Sequence, residues 1–207
     1  MSLTEESVRE LALLSGVVLA QQDLASTHQE ITRIAERALP VADGVTITTF
    51  LNGRPTASAA SSEWSRALDE MQYLEHEGPC LDCARTGNTF RIADLREETR
   101  WPSYVPRALD AGVRSVLSVP LAAEGRLIGA LNLYAREPAA FSTEAVSVAE
   151  IIAAHTGLAT QVASAYFGQQ ALAEQLRQAM DSRAVIEQAK GVVMAVRGTD
   201  EIGRAHV

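Results

Sequence analysis

Apolar residues recur along this chain with two different periods, one typical of helices and one typical of strands. Spacings of three and four residues predict two N-terminal helices, at residues 5–20 and 27–39. Runs rich in β-branched and aromatic residues predict four strands, at residues 45–51, 54–60, 113–121 and 127–135. Short Gly-containing turns, Asn52-Gly53 and Glu124-Gly125, join these strands into two hairpins. Pro55 places the second strand at a sheet edge, because proline cannot donate to a strand ladder.

Shorter sequence patterns predict further helices and strands before and between the hairpins. The spacing of Thr27 and Glu30 is that of a capping box and predicts the start of the second helix. Further elements are predicted as a helix at 63–73 capped by Ser62, a helical turn at 80–85 closed by Gly87, a strand at 89–93 and a helix at 101–111. Hairpins imply a mainly antiparallel sheet with helices packed on it, so the fold class expected is α+β.

A long C-terminal helix begins after Ser142 and runs without proline to about residue 196. Apolar residues recur in it every seven positions, at Leu158, Ala165, Leu172, Ala179, Ile186 and Val193. This heptad pattern is typical of a parallel coiled coil and favours a homodimer. The alternative is a single long helix that packs on its own domain.

Charge and composition exclude several classes of protein. The 207 residues carry a net charge of -8, which argues against a chain wrapped broadly in nucleic acid but allows a local basic face. The longest apolar run, residues 11–20, is too short to span a bilayer, and its N-terminal flank is acidic where a signal peptide is basic. We therefore expect a cytoplasmic protein with no membrane partner.

The two cysteines, Cys80 and Cys83, form one Cys-x-x-Cys pair. A structural zinc site needs four ligands, so the pair predicts no metal site, and two cysteines do not make a disulfide framework. Two interpretations stay open. The thiols are buried and inert, or they act as an attacking and resolving pair.

Several short segments together resemble a GAF domain of the actinobacterial type. They are residues 77–82 (EGPCLD), 100–102 (RWP), 112–121 (GVRSVLSVPL) and 129–134 (GALNLY). Residues 182–194 (SRAVIEQAKGVVM) resemble the opening of an ANTAR domain. The resemblance implies a GAF-like antiparallel sheet with flanking helices, then a long C-terminal helix or coiled coil that enters an incomplete ANTAR helical domain.

The same resemblance implies a function. GAF domains sense small molecules or redox state and commonly dimerise through terminal helices, and ANTAR domains bind paired hairpin loops in nascent RNA to prevent transcription termination. The chain is thus expected to be a signal-responsive antitermination regulator, not an enzyme. The alternatives are a GAF-fold thiol enzyme that reduces methionine sulfoxide with Cys80 and Cys83, or a truncated ligand-binding and dimerisation module without RNA binding.

Candidate RNA-binding residues lie in the ANTAR-like segment: Arg183, Lys190, Gly191 and Arg197. The three cations are seven residues apart, so they share one helix face, as suits phosphate contacts. Lys190 is the only lysine of the chain. The alternative is a surface ion pair between Arg183 and Glu187, worth roughly 0.2–0.5 kcal/mol.

Candidate residues of a sensor pocket are Cys80, Cys83, Trp101, Arg114 and Tyr134, although core packing explains them as well. The residue set of cyclic-nucleotide-binding GAF domains is absent, so the signal and any cofactor stay undefined.

The expected organisation has five parts. They are an N-terminal helix (1–25), a GAF-like domain (26–165), a coiled-coil linker (166–181), the start of an ANTAR domain (182–200) and a tail expected to be non-native (201–207). The tail is expected because residues 201–207 do not continue the helical pattern of an ANTAR domain.

Overall fold

A computed structural model describes residues 23–51, 54–163 and 165–166, together with the single helical residues Ala12, Leu13, Arg177, Ala189 and Val192. The chain divides into two compact units, Met1–Ser164 and Ala165–Val207. Most of the predicted helix at 5–20 and most of the predicted coiled coil lie outside the described residues, as does most of the ANTAR-like segment.

The first unit contains five helices and five strands among its described residues. The helices are α1 (Leu24–Ala38), α2 (Glu63–Glu75), α3 (Pro79–Thr86), α4 (Tyr104–Asp110) and α5 (Thr143–Ala163), with a 3-10 turn at Leu95–Glu97. The strands are β1 (Gly44–Leu51), β2 (Arg54–Ala60), β3 (Phe90–Ile92), β4 (Ser115–Ala123) and β5 (Arg126–Ala135). They form one antiparallel sheet in the order β2-β1-β5-β4-β3, so the predicted α+β class and the edge position of β2 are confirmed.

The two faces of the sheet differ in chemistry, because side chains alternate between faces along each strand. One face is apolar and packs against α1 and α5; its buried residues include Val45, Ile47, Leu117, Val119, Leu131 and Leu133. The other face carries Thr46, Thr48, Ser118, Asn132 and Tyr134, all fully buried beneath α2, α3 and α4. Polar groups inside a sheet-helix layer need partners, so this second face is where chemistry is concentrated.

Two predicted helix starts are wrong. Helix α1 begins at Leu24, three residues before Thr27, because the Asp23 carboxylate caps it by accepting from the Ser26 amide at 2.7 Å. Helix α4 begins at Tyr104 and not at Trp101. The amides of Ser103 and Tyr104 donate to the Glu77 carboxylate, so a residue 26 positions away supplies the cap. Local sequence does not reveal such a distant cap.

Helix α5 packs closely on the sheet through a glycine. A methyl group built on Gly157 would lie 2.1 Å from the carbonyl oxygen of Ala122 on β4, closer than any carbon contact allows. Helix α5 is also the one described helix that is long and apolar enough to cross a membrane, but 44% of its apolar window is buried inside the domain.

A buried histidine links α1, the edge strand and α5. The Nε2 atom of His28 lies 2.8 Å from the Thr160 hydroxyl, which itself donates to the Thr156 carbonyl, so Nε2 carries the proton and donates. Nδ1 then accepts from the Ser58 hydroxyl at 2.7 Å. Burial lowers the pKa of His28 to about 4, and the ring is neutral at physiological pH.

Candidate functional site

A cluster of polar side chains lies buried between the sheet and α2–α4, and we call it the buried cluster. Its members are Thr48 on β1, Asn132 and Tyr134 on β5, Asp69, Gln72 and Tyr73 on α2, and Cys80 on α3. Asp69, Gln72, Cys80, Asn132 and Tyr134 are each 0% exposed. Hydrogen bonds join all seven, so the cluster ties two helices to the middle of the sheet.

Asp69 is the principal acceptor of the buried cluster. One carboxylate oxygen accepts from the Tyr134 hydroxyl and from the Asn132 amide at 3.2 Å, and the other accepts from Thr48 at 3.0 Å and Tyr73 at 3.2 Å. Burial raises the pKa of Asp69, and hydrogen bonds from Tyr134, Thr48 and Tyr73 oppose that rise. A carboxyl group in this setting holds neighbouring hydroxyl groups in fixed orientations.

Gln72 connects the buried cluster to the start of α3. Its amide nitrogen donates to the Tyr134 hydroxyl at 2.9 Å, and its oxygen accepts from the Cys80 backbone amide at 2.8 Å. That amide has no helical partner of its own, because it belongs to the first turn of α3. The glutamine therefore serves as a side-chain cap that fixes α3 to α2.

Three polar side-chain atoms in the interior lack a protein partner among the described residues: the Tyr104 hydroxyl, the Ser118 hydroxyl and the Asn132 carbonyl oxygen. Ser118 and Asn132 are directly opposite each other on neighbouring strands. Buried polar atoms are normally paired with protein or with ordered water. The described residues therefore leave some polar atoms beside the buried cluster without hydrogen-bond partners.

Both cysteine thiols are buried in this structure. Cys80 donates to the Thr48 hydroxyl at 3.2 Å, while Cys83 packs in a small apolar group with Ala84 and Ala130. Burial raises the pKa of Cys80 well above its usual value and the pKa of Cys83 to about 12. Because the thiolate is the reactive form, these surroundings suppress thiol chemistry at neutral pH.

The segment at 77–82 has a structural role at most of its positions. Gly78 has φ +142°, and a methyl group there would lie 2.2 Å from the Gln72 side chain, so only glycine fits. Pro79 opens α3, where proline is favoured. Asp82 accepts from the Trp101 indole nitrogen at 2.9 Å, which ties α3 to the segment before α4.

The five predicted sensor residues occupy different surroundings. Cys80 and Tyr134 belong to the buried cluster, while Cys83 lies beside it. Trp101 is 2% exposed, with its ring edge-on to Phe90. Arg114 pairs with Asp94 at 2.8 Å on another part of the domain. Hydrogen bonds from Arg96 and, to a smaller extent, from Arg114 hold the pKa of Asp94 well below its usual value.

The four candidate RNA-binding residues, Arg183, Lys190, Gly191 and Arg197, lie outside the described residues. Two neighbours in that segment, Ala189 and Val192, are helical and exposed. The assignment of RNA contacts to these four residues thus stays a prediction.

Five of the seven members of the buried cluster are not among the residues predicted from sequence. Asp69 and Gln72 face the sheet together with Ser65 and Leu68 at helical spacing. A carboxylate on the apolar side of a helix was the available signal. Asn132 and Thr48 gave no such signal, because polar residues alternate with apolar ones on any half-exposed strand.

The fold is that of known sensor domains and of some enzymes. The chain is similar to the GAF domain of a phosphoenolpyruvate-protein phosphotransferase from Coxiella burnetii, with a TM-score of 0.62, 19% identity and coverage of 79% of this chain and 97% of that one. It is also similar to free methionine-R-sulfoxide reductase from Neisseria meningitidis in complex with its substrate, with a TM-score of 0.62, 15% identity, and 80% and 96% coverage. A third similar structure is the chromophore-binding domain of a bacteriophytochrome from R. palustris, with a TM-score of 0.58, 13% identity, and 77% and 62% coverage. At these identities the likeness establishes the fold alone.

Comparison with protein families gives two matches in sequence order. The GAF domain family matches residues 21–161, and the ANTAR domain family matches residues 174–202. A search among curated proteins gives no match. Both families are regulatory. Since the first match spans more than half of the chain, this protein belongs to the GAF domain family, and its GAF domain is followed by a short ANTAR match.

Proposed function

We propose that this protein is a signal-responsive, RNA-binding regulator of transcription antitermination, in which a GAF sensor controls an ANTAR output through the geometry of a homodimer. The observation that carries the proposal is the order of the two matches, with GAF at 21–161 and ANTAR at 174–202 of one chain. A sensor domain joined directly to an RNA-binding segment is the arrangement of a regulator. We place the protein in the cytoplasm, where nascent RNA is made.

An exposed apolar stripe on α5 supports the dimer part of the proposal. Ile151, Leu158 and Val162 are spaced by seven and four residues and are 38%, 58% and 46% exposed. The opposite side of α5, including Ile152 and Ala153, is buried against the sheet. A helix with apolar residues on both sides is expected to bury its second side against another helix. The stripe begins the heptad series that continues toward the ANTAR match, so a second copy is the partner proposed.

Substitution at the stripe tests the dimer. Leu158→Asp places charge on the stripe, and we expect the sedimentation mass to fall from dimer to monomer. Leu74→Asp is the matched control, because Leu74 is 72% exposed on α2, away from the stripe. A wild-type chain that sediments as a monomer at high concentration contradicts the dimer, as does a Leu158→Asp chain that remains dimeric.

The RNA part is tested by the salt dependence of binding. Each phosphate that the protein neutralises on a single strand contributes about 0.7 to the slope of log affinity against log salt. Replacing Arg183, Lys190 and Arg197 with alanine is expected to lower this slope by about 2 for an RNA with two hairpins. Arg33→Ala, on the GAF domain, is the control and leaves the slope unchanged. An unchanged slope in the triple variant refutes the assignment of RNA contacts to these three residues. If the wild-type chain has no affinity for RNA, the alternative of a dimerisation module without RNA binding is favoured.

The alternative function is that of a thiol enzyme, and the fold shared with methionine sulfoxide reductases is the observation that favours it. It requires a reactive thiol, whereas Cys80 and Cys83 are both 0% exposed with raised pKa values. Reduction of free methionine sulfoxide that is lost in Cys80→Ser would favour the enzyme. We expect no turnover in either chain.

A further inference from the structure

A cavity of about 450 Å³ opens beside the β1–β2 hairpin, apart from the buried cluster. It is lined by Phe50, Pro55, His76, Leu81, Ala84 and Arg85. Phe50 and Pro55 are directly opposite each other on β1 and β2, and the last three belong to α3. Its volume lies in the range of pockets that hold small molecules.

The walls and the rim of this cavity differ in character. Phe50, Pro55, Leu81 and Ala84 supply an apolar lining, and Phe50 is 42% exposed although it lies on a paired strand. An aromatic side chain left open to solvent inside a concavity offers a stacking surface for a flat apolar group. The lining therefore favours a ligand with an aromatic or other apolar body.

A cationic group stands at the same cavity. The Arg85 side chain is 67% exposed, and its NH1 atom is 2.9 Å from an oxygen of Asp82. A guanidinium has five N–H donors in a fixed plane, so this contact orients the group and leaves donors for a second anion. Among the described residues, those that line the cavity include no carboxylate. Charge at the cavity thus favours an anionic ligand over a cationic one.

We propose that this cavity is the ligand site of the sensor domain and binds a small aromatic carboxylate, with the ring beside Phe50 and the carboxylate on Arg85. This inference rests on the proposed sensor role and supplies the ligand class that the role leaves open. A single arginine matches the charge of one carboxylate. A nucleoside polyphosphate carries several negative charges, and the residues that line this cavity form no glycine-rich loop to bind them.

The position of the cavity connects it to the buried cluster. Leu81 follows Cys80 in α3, and Phe50 lies two residues beyond Thr48 on β1. Cys80 and Thr48 are hydrogen-bonded to each other at 3.2 Å. A ligand held between Phe50 and Leu81 therefore contacts both β1 and α3, the two elements that this bond joins. Its binding free energy then depends on the distance between β1 and α3. The cluster includes residues of β1 and β5, and the opposite face of these strands packs against α5.

Nuclear magnetic resonance titration of the full chain with phenylacetate tests the proposal. A probe of this size that fits well is expected to bind with a Kd of about 1 mM. Phenethylamine carries the same ring with a cation in place of the carboxylate, and we expect it to bind at least ten-fold more weakly. Backbone amide shifts are expected to concentrate in α3 and in the β1–β2 hairpin.

Two arginine variants separate this site from non-specific binding. Arg85→Gln is expected to weaken phenylacetate at least five-fold, while Arg107→Gln, an exposed arginine paired with Glu75, leaves the affinity unchanged. No saturable binding to the wild-type chain overturns the proposal, and so does equal affinity in Arg85→Gln or for phenethylamine. RNA affinity is measured on the same samples without phenylacetate. If the chain binds RNA but not phenylacetate, the ligand site is refuted and the RNA output is not. If it binds phenylacetate but not RNA, the RNA output is refuted and the ligand site is not.

Discussion

Replacing Asp69 with alanine removes the main acceptor of the buried cluster and leaves its donors in place. The hydroxyls of Tyr134 and Thr48 and the amide of Asn132 would each lose a bond inside a fully buried region. A buried donor left without a partner costs roughly 1–3 kcal/mol. Thr48 and Asn132 have other hydrogen-bond partners, whereas the Tyr134 hydroxyl donates to Asp69 alone among the described residues. The expected loss in the free energy of unfolding is therefore about 1–3 kcal/mol, a sizeable fraction of the stability of an ordinary domain.

Asp69→Asn is the matched variant, because it keeps the shape and removes the charge. The folded-state pKa of Asp69 is raised by burial, so the folded chain holds this proton more tightly than the unfolded chain. The stability contributed by the neutral acid is fully present below the unfolded pKa near 3.8 and is lost as pH rises through the folded pKa. Relative to wild type, Asp69→Asn is therefore expected to become more stable as pH rises from 4.

Urea unfolding of the three chains between pH 4 and pH 9 measures both effects. Taking the difference between wild type and Asp69→Asn removes the contribution of groups that titrate alike in the two chains. The reasoning is refuted if Asp69→Ala loses less than about 1 kcal/mol. It is also refuted if the difference between wild type and Asp69→Asn does not change with pH.

Three further predictions concern other parts of the domain. Burial lowers the pKa of His28 to about 4, so the free energy of unfolding should rise by roughly 3 kcal/mol between about pH 4 and pH 6.5. In urea titrations His28→Gln should flatten this rise, and equal pH dependence in the two chains would contradict the prediction. A thiol reagent at pH 7.5 should modify Cys80 and Cys83 only after denaturant is added, and rapid labelling of the native chain would refute their burial. Gly157→Ala should lower the thermal midpoint, since its methyl group would meet the Ala122 carbonyl, and costs of about 1–3 kcal/mol are typical of such overpacking; an unchanged midpoint would refute the close approach.

The strands and hairpins can be predicted from sequence because their signals are local. Residues 54–60 are predicted as an edge strand from their position after Asn52-Gly53 and from Pro55, and β2 spans these residues. Glu124 and Gly125 both have positive φ, as the turn between β4 and β5 requires. Ser62 caps α2 through a reciprocal pair of bonds with Ser65, as its position before a helical pattern predicts.

The candidate site is less accessible from sequence, because its members are distant in the chain. Asp69 and Asn132 are 63 residues apart, and His28 and Thr160 are 132 residues apart. Glu77 caps a helix that begins 27 residues later. Such pairs depend on how the sheet brings elements together. The resemblance identified the segment at 77–82 but not the reason for its residues, which the contacts of Gly78 and Asp82 now supply.

Comparing the affinities for an RNA with two hairpins and an RNA with only one shows whether the dimer recognises paired loops. Fluorescence anisotropy with wild type, Leu158→Asp and the control Leu74→Asp measures whether recognition of paired loops depends on the dimer. We expect wild type and Leu74→Asp to bind the two-hairpin RNA at least ten-fold more tightly than the single hairpin, and Leu158→Asp to lose this preference. Equal affinity for the two RNAs in the wild-type chain, or an undiminished preference in Leu158→Asp, would contradict this expectation.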